Sequence, residues 1–261
     1  MSQITTETKT DPNQLRAYRE DGFIVLPSFF DSQRINAVRA EAESLRNRSD
    51  LVDPRNLRCR FMPDVRKNGR TVFEVFDPII DLSPACESLA RDPALLEVLR
   101  AIYGEPASLF KDKLIYKPSG ARGYGIHQDW IAWPGFPRSF LTVLIALDEA
   151  DATNGCTSVF AGMHRYGCLA AEDGEYHQFS PEDMGTAPRI DLILAPGDIA
   201  IFTGFTPHCS EPNLSDRDRR QLFLSYNAQS DGGDLRAWHY DDFQSRRRQR
   251  SYQDTPDVFF R

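Results

Sequence analysis

The chain has 261 residues, of which 41% are hydrophobic and 26% charged, the make-up of an ordinary soluble globular protein with length enough for one large core. Thirty-one basic residues against thirty-eight acidic ones give a net charge of −7, which excludes nucleic acid as the main partner because phosphate neutralisation needs a basic face. The longest apolar run, 140–147, is broken by Thr142 and too short to cross a bilayer. Residues 1–10 are polar and lack the apolar stretch of an export signal. Five cysteines with no CxxC spacing read as free thiols in a reducing cytoplasm.

After a disordered start, residues 12–20 read as a helix with Leu15 and Tyr18 on one face, stopped by Asp21-Gly22. Residues 23–26 form a buried strand ended by Pro27. Asp31 caps a second helix whose apolar face is Ile35, Val38, Ala42 and Leu45. Residues 49–70 lack a clean period and read as a long loop of the lid or binding kind. A strand follows over 71–76. Asp92-Pro93 opens a helix with Leu95, Leu96, Leu99 and Ile102 inward and Gly104 at its end. From residue 108 the texture changes to short strands, expected at 108–116, 125–130, 139–147, 156–161, 190–194, 198–202, 207–211 and 219–228. About eight such strands predict a mainly β fold with flanking α-helices, a β-sandwich or jelly roll. Residues 167–189 read as an insertion between strands. We expect one domain, with a helix-and-strand scaffold over 11–106, a jelly-roll core over 107–230 and a tail over 231–261.

The chemistry centres on Gly125-Ile126-His127-Gln128-Asp129-Trp130. On an extended segment His127 and Asp129 leave the same face, and an imidazole beside a carboxylate suits a divalent metal of borderline hardness. His208, in Pro207-His208-Cys209-Ser210, is the candidate third ligand. Two imidazoles and one carboxylate on one face of an octahedral metal leave three open positions, the arrangement of non-haem Fe(II) oxygenases. Arg219, eleven residues after His208, would supply a bidentate cation for the far carboxylate of a dicarboxylate co-substrate. Arg220 competes for this role, since strand alternation lets only one of the two point inward.

These residues, together with Tyr18-Arg19-Glu20-Asp21-Gly22-Phe23, Lys117-Pro118, Asn154-Gly155-Cys156, Gly162-Met163-His164 and Pro196-Gly197-Asp198, give a chain that resembles the phytanoyl-CoA dioxygenase family of Fe(II)/2-oxoglutarate oxygenases. The resemblance implies a double-stranded β-helix (a cupin-like jelly roll) and Fe(2+) on His127, Asp129 and His208. It also implies 2-oxoglutarate on Arg219, with Ser210 and Lys113 beside it, and O2 as the oxidant. Because Asp129 keeps the carboxylate, it implies an oxygenase rather than an iron halogenase. His164 is then a structural or pocket-edge residue. His177 and His239 read as surface residues, although His239 could close over the site, and Cys156 and Cys209 as small buried hydrophobes. The run Arg246-Arg247-Arg248-Gln249-Arg250 reads as a solvated tail.

Trp130, Ile131, Trp133, Phe136 and Arg138 follow the ligands and are candidate pocket walls. Aromatics beside a cation could hold a zwitterion, and Lys67, Lys113, Lys117, Arg122 and Arg138 could hold an anion. The expected substrate is a small polar metabolite (an amino acid derivative, an aminophosphonate or a natural-product intermediate). The expected outcome is hydroxylation with release of succinate and CO2. Epimerisation, desaturation or cyclisation would need the same ligands, and a non-catalytic metal- or ligand-binding jelly roll is the reading outside enzymology. Oligomeric state has no signature in the sequence.

Overall fold

A computed structural model describes residues 11–251 and 257–261. The expectation of a disordered start falls on residues 1–10, outside the described residues. Helix α1 (Pro12–Asp21) begins where the Asp11 carboxylate accepts from the Asn13 and Gln14 amides and ends at Gly22, whose φ of 82° closes the cap. Strand β1 (Phe23–Leu26) and helix α2 (Ser32–Arg46) follow. Strands β2 (Cys59–Pro63) and β3 (Thr71–Phe76) pair antiparallel. The segment read as one long loop therefore contains a strand; its alternation is hidden by Arg60 and Pro63 and by a register shift between Arg60 and Phe61. Helices α3 (Pro84–Ala90) and α4 (Pro93–Tyr103) complete the scaffold.

The remaining strands are β4 (Ala107–Ile115), β5 (Tyr124–His127), β6 (Leu141–Ala146), β7 (Thr157–Phe160), β8 (Arg189–Asp191), β9 (Ile199–Thr203), β10 (His208–Ser210) and β11 (Gln221–Ala228). They divide between a large sheet ordered β1-β9-β6-β11-β4-β3-β2 and a small one ordered β5-β10-β7-β8. Among β4 to β11, four strands lie in each sheet and the chain crosses between sheets repeatedly, which makes this a jelly roll with three scaffold strands added to the edges of the larger sheet.

Both faces of β6 are covered, so it reads as an apolar run broken only by Thr142. Leu141, Val143 and Ile145 pack with Ile35, Val38, Leu95 and Leu99 of the helices. Leu144 and Ala146 face the other way and meet Val159 of the small sheet together with Ala200 and Phe202. Away from this plug the space between the sheets stays open, and Lys111, Lys113 and Ile115 of β4 line it with Phe223 and Ser225 of β11.

Two further expectations change. The tail carries helix α5 (Arg236–Ser251), which docks on β4: Tyr240 Oη donates to the Asp112 carbonyl at 2.8 Å, and Arg236 Nε reaches the Asp112 carboxylate at 2.7 Å. Its basic run is not simply solvated, since Arg247 donates to the Cys59 carbonyl and the Arg246 guanidinium lies 4.5 Å from the centre of the Trp133 ring. The five cysteines are free thiols. Among the described residues, no helix is long and apolar enough to cross a membrane.

Candidate metal and co-substrate site

His127 and His208 sit directly opposite each other where β5 and β10 pair, with their ring centres 4.2 Å apart. Their orientation is fixed from behind. Nδ1 of His127 donates to the Gly125 carbonyl at 2.8 Å and Nδ1 of His208 donates to the Thr206 carbonyl at 3.1 Å. A carbonyl can only accept, so the proton resides on Nδ1 and each Nε2 lone pair is left for a metal.

Asp129 arrives by a route the dipeptide spacing did not reveal. β5 ends at His127, so Asp129 is not a strand neighbour of it but lies one turn into the following loop. Gln128 anchors that loop. Its amide donates to the Gly167 and Phe205 carbonyls at 2.8 and 2.6 Å, and its carbonyl accepts from the Leu169 amide at 2.9 Å. Asp129 Oδ1 is thereby held 4.0 Å from Nε2 of His127 and 3.8 Å from Nε2 of His208, while Oδ2 accepts from the Thr142 hydroxyl at 2.7 Å.

The ligand atoms of His127, Asp129 and His208 all lie within 4.8 Å of one another. Burial, reinforced by the facing His208, pulls His127 down to about 3 and keeps it neutral. For Asp129 burial works in the opposite direction, but His208, Lys113 and His127 outweigh it and hold the carboxylate ionised well below its usual range. Two imidazoles presenting Nε2 and one carboxylate oxygen, each backed by a hydrogen bond, form a donor set that fits a divalent transition metal.

These three residues stand at a cavity of about 540 Å³ lined also by Lys113, Ser210, Arg219, Trp133 and Phe136. Arg219 precedes β11 rather than beginning it, and is 2% exposed. One guanidinium nitrogen donates to the Gly155 carbonyl at 2.9 Å, another meets the Gln221 side chain, and Nε has no partner among the described residues. Burial pulls Arg219 down to about 10, which leaves it charged at neutral pH. Position 155 requires glycine: it has a φ of 69°, and a Cβ there would meet the Glu211 carbonyl at 2.2 Å. Arg220 points away and forks onto Asp148 with Nε at 2.8 Å and Nη2 at 3.0 Å. Ser210 accepts from Lys117 Nζ at 2.7 Å, and burial with Arg219 nearby lowers the Lys117 ammonium.

Other candidates sort differently. Trp133 and Phe136 line the cavity, whereas Trp130 and Arg138 do not. Trp130 is buried against Phe205, and Arg138 stacks on its outer side at 4.9 Å. Of the candidate anion holders, Lys113 and Arg122 line the cavity and Lys67 does not. His177 is paired with Asp173 at 2.9 Å. His164 touches the Arg19 carbonyl, and it packs so close to Gly22 that a Cβ there would strike its ring. His239 is a correction: it is 4% exposed and lines the cavity from α5. Sequence reasoning also missed Arg60, Lys111, Tyr176 and Arg246 as lining residues; only the i, i+2 spacing of Lys111 with Lys113 could have signalled one of them.

The family model for phytanoyl-CoA dioxygenase matches residues 18–221. The chain belongs to that family. It is 31% identical over 242 residues to the methylphosphonate hydroxylase of Gimesia maris, a match covering 90% of this chain and 86% of that one. It is 26% identical over 234 residues to the 2-aminoethylphosphonate dioxygenase of an uncultured bacterium, covering 89% and 85%. Among solved structures, EctD from S. alaskensis with 2-oxoglutarate and 5-hydroxyectoine superposes with a TM-score of 0.71 at 24% identity, covering 89% of this chain and 83% of that one. At that identity the likeness concerns the fold. As a member of this family the protein is a dioxygenase.

Proposed function

We propose that this dioxygenase binds iron(II) through His127, Asp129 and His208 and binds 2-oxoglutarate through Arg219, with Ser210 and Lys113 beside it, to hydroxylate a small polar metabolite. The observation that carries the reading is the convergence of three fixed ligand atoms at one end of a cavity whose wall holds a buried, charged Arg219 with an unpartnered Nε. When bound, iron with 2-oxoglutarate and O2 supplies oxidative decarboxylation to succinate and CO2, coupled to oxygen insertion into a substrate C–H bond. The chain's own work is positional. The two Nδ1 contacts aim the imidazoles, Thr142 holds the carboxylate, and Arg219 offers a planar fork to the remote carboxylate of the co-substrate. Ile131, Trp133, Phe136 and Phe140 wall the cavity with apolar surface that limits water at the reacting end.

The names of the relatives support a small organic or phosphorus-containing substrate. The acidic balance of the chain supports a small molecule rather than nucleic acid as partner, and the free thiols support action in the cytoplasm. The one-domain organisation with its active centre in residues 107–230 is part of the same proposal. Anaerobic titration with Fe(II) and 2-oxoglutarate tests it: a visible charge-transfer band forms in the wild type and not in His127→Ala or His208→Ala. Absence of any band in the wild type overturns the reading. Product mass then names the outcome, with +16 for hydroxylation, −2 for desaturation or cyclisation and no change for epimerisation.

A further inference from the structure

Beyond the metal and Arg219, the same cavity has a second polar end. Strand β4 points Lys111 into it two residues from Lys113, so the two ammonium stems leave one face of the strand about 7 Å apart. Lys113 lies level with Phe223 and Lys111 level with Ser225 in the register with β11, and Arg219 lies beyond the Gln221 end of the same strand. Lys111 is therefore farther than Lys113 from the proposed co-substrate cation. Arg60 of β2 and Arg246 of α5 also line the cavity. Asp77, fully buried, ties two of these cations together: its Oδ2 lies 3.2 Å from Lys111 Nζ and 3.5 Å from Arg60 Nη2. One carboxylate against two cations leaves positive charge unbalanced. Arg246 is paired with Asp242 at 2.7 Å on its own helix, and its guanidinium lies over the Trp133 ring, 4.5 Å from its centre, which holds it at the cavity wall.

His239 supplies an independent sign of a missing ligand. It is 4% exposed, its ring packs 4.5 Å from that of Phe110, and its Nε2 has no hydrogen-bond partner among the described residues although the residue lines the cavity. A buried, unpaired ring nitrogen is costly unless something in the cavity meets it. The carboxylates on the cavity lining are Asp129, assigned to the metal, and the exposed Glu175, against Arg60, Lys111, Lys113, Arg122, Arg219 and Arg246.

We propose that Arg60, Lys111 and Arg246, with His239, form a subsite for a tetrahedral phosphorus oxyanion carried by the substrate, a phosphonate or a phosphate ester. This rests on the reading of the other end as the iron and 2-oxoglutarate site. Such a headgroup offers three acceptor oxygens and up to two negative charges, which suits cations approaching from a strand, an edge hairpin and a helix better than the planar carboxylate suits them. It would hold the headgroup at the α5 side and present the adjoining carbon to the His127–Asp129–His208 end. Arg246 and His239 reach the wall from α5, which lies beyond the stretch that the family model matches.

The test is anaerobic calorimetric titration of the protein carrying Fe(II) and 2-oxoglutarate with methylphosphonate, methyl phosphate, inorganic phosphate and acetate. Methylphosphonate or methyl phosphate should bind at least tenfold more tightly than acetate, and the tighter of the two identifies the source of the headgroup. Lys111→Met and Arg246→Met should each weaken that binding at least tenfold while the Fe(II)–2-oxoglutarate band is retained, and Lys111→Arg should restore most of it. The retained band shows that a variant is folded and loaded. Equal binding of acetate, or unchanged affinity in both methionine variants, overturns the subsite. Failure of the wild type to form the band at all overturns the function proposed above, a result distinct from these.

Discussion

At the His127–Asp129–His208 end of the cavity, side chains are held by strand pairing and by backbone carbonyls; at the Arg60–Lys111–Arg246 end they are held by one another. The first end uses an inter-strand histidine pair, two Nδ1 contacts to the main chain and a loop pinned by Gln128, and its atoms have little freedom before anything binds. The second uses an Asp77 shared by two cations and a guanidinium resting on an indole. Fixed geometry suits an ion whose coordination distances tolerate small error, while a wall of long side chains can adapt to different substrates. The difference predicts that damage at the first end removes function outright and that damage at the second end grades it.

The largest effect falls on the ligands. Asp129→Ala or His208→Ala should eliminate the Fe(II)–2-oxoglutarate band and lower succinate release by roughly a hundredfold or more, since loss of even an outer hydrogen bond to a metal ligand costs 10–100-fold. An Asp129→Ala protein that kept the band would break the assignment of the carboxylate. Next comes Arg219→Ala, which should weaken 2-oxoglutarate by about 10- to 100-fold, the worth of about 1.5–3 kcal/mol for hydrogen bonds to a charged group. Arg220→Ala should leave 2-oxoglutarate affinity unchanged, because that side chain is spent on Asp148. Equal losses in the two variants would reverse the choice between them. A smaller change is expected in Thr142→Val, which keeps shape but removes the hydroxyl on Asp129 Oδ2. Iron affinity should fall by about tenfold with the band position retained, and an unchanged affinity would show that the loop alone orients the carboxylate.

The same contrast explains what could be read from the sequence. His127, Asp129, His208 and Arg219 were legible because the geometry that joins them is carried by motifs of fixed spacing and by strands with clear turns between them. Even there the mechanism of placement was hidden: Asp129 reaches the site through a loop anchored by Gln128, and nothing about a glutamine between two ligands announces three long-range hydrogen bonds. The other end was illegible for a physical reason. Arg60 lies in a strand whose alternation is interrupted by a bulge, and Arg246 and His239 lie on a helix so polar that its composition reads as solvent-exposed. Long cations bury their stems and show only the heads, so a charged residue at a cavity wall and one in water look alike in sequence. Trp130 and Arg138 failed in the converse way. Their nearness to the ligands in sequence suggested the pocket, but the chain turns after Asp129 and buries Trp130 against Phe205 instead.

The smallest predicted effect compares a histidine from each end. Burial lowers His239 to about 3, with Lys111 adding to the effect and Asp77 opposing it, and His127 is lowered to about 3 by burial and by His208. Both are therefore neutral in the fold at pH 5 to 6, whereas an unfolded chain protonates a histidine near pH 6.5. Below that value the unfolded state binds protons that the folded state refuses. Stability must then fall as pH falls from about 6.5 toward 3, by about 1.4 kcal/mol per pH unit for each such histidine. His239→Phe keeps the ring packed on Phe110 and removes one of the two contributions. Denaturant titrations at pH 5 and 6 without metal should show the slope of stability against pH reduced by that amount in the variant. An unchanged slope would mean that His239 takes up its proton in the fold, through Asp77, and the wall would then present one more positive charge in acid than at neutral pH.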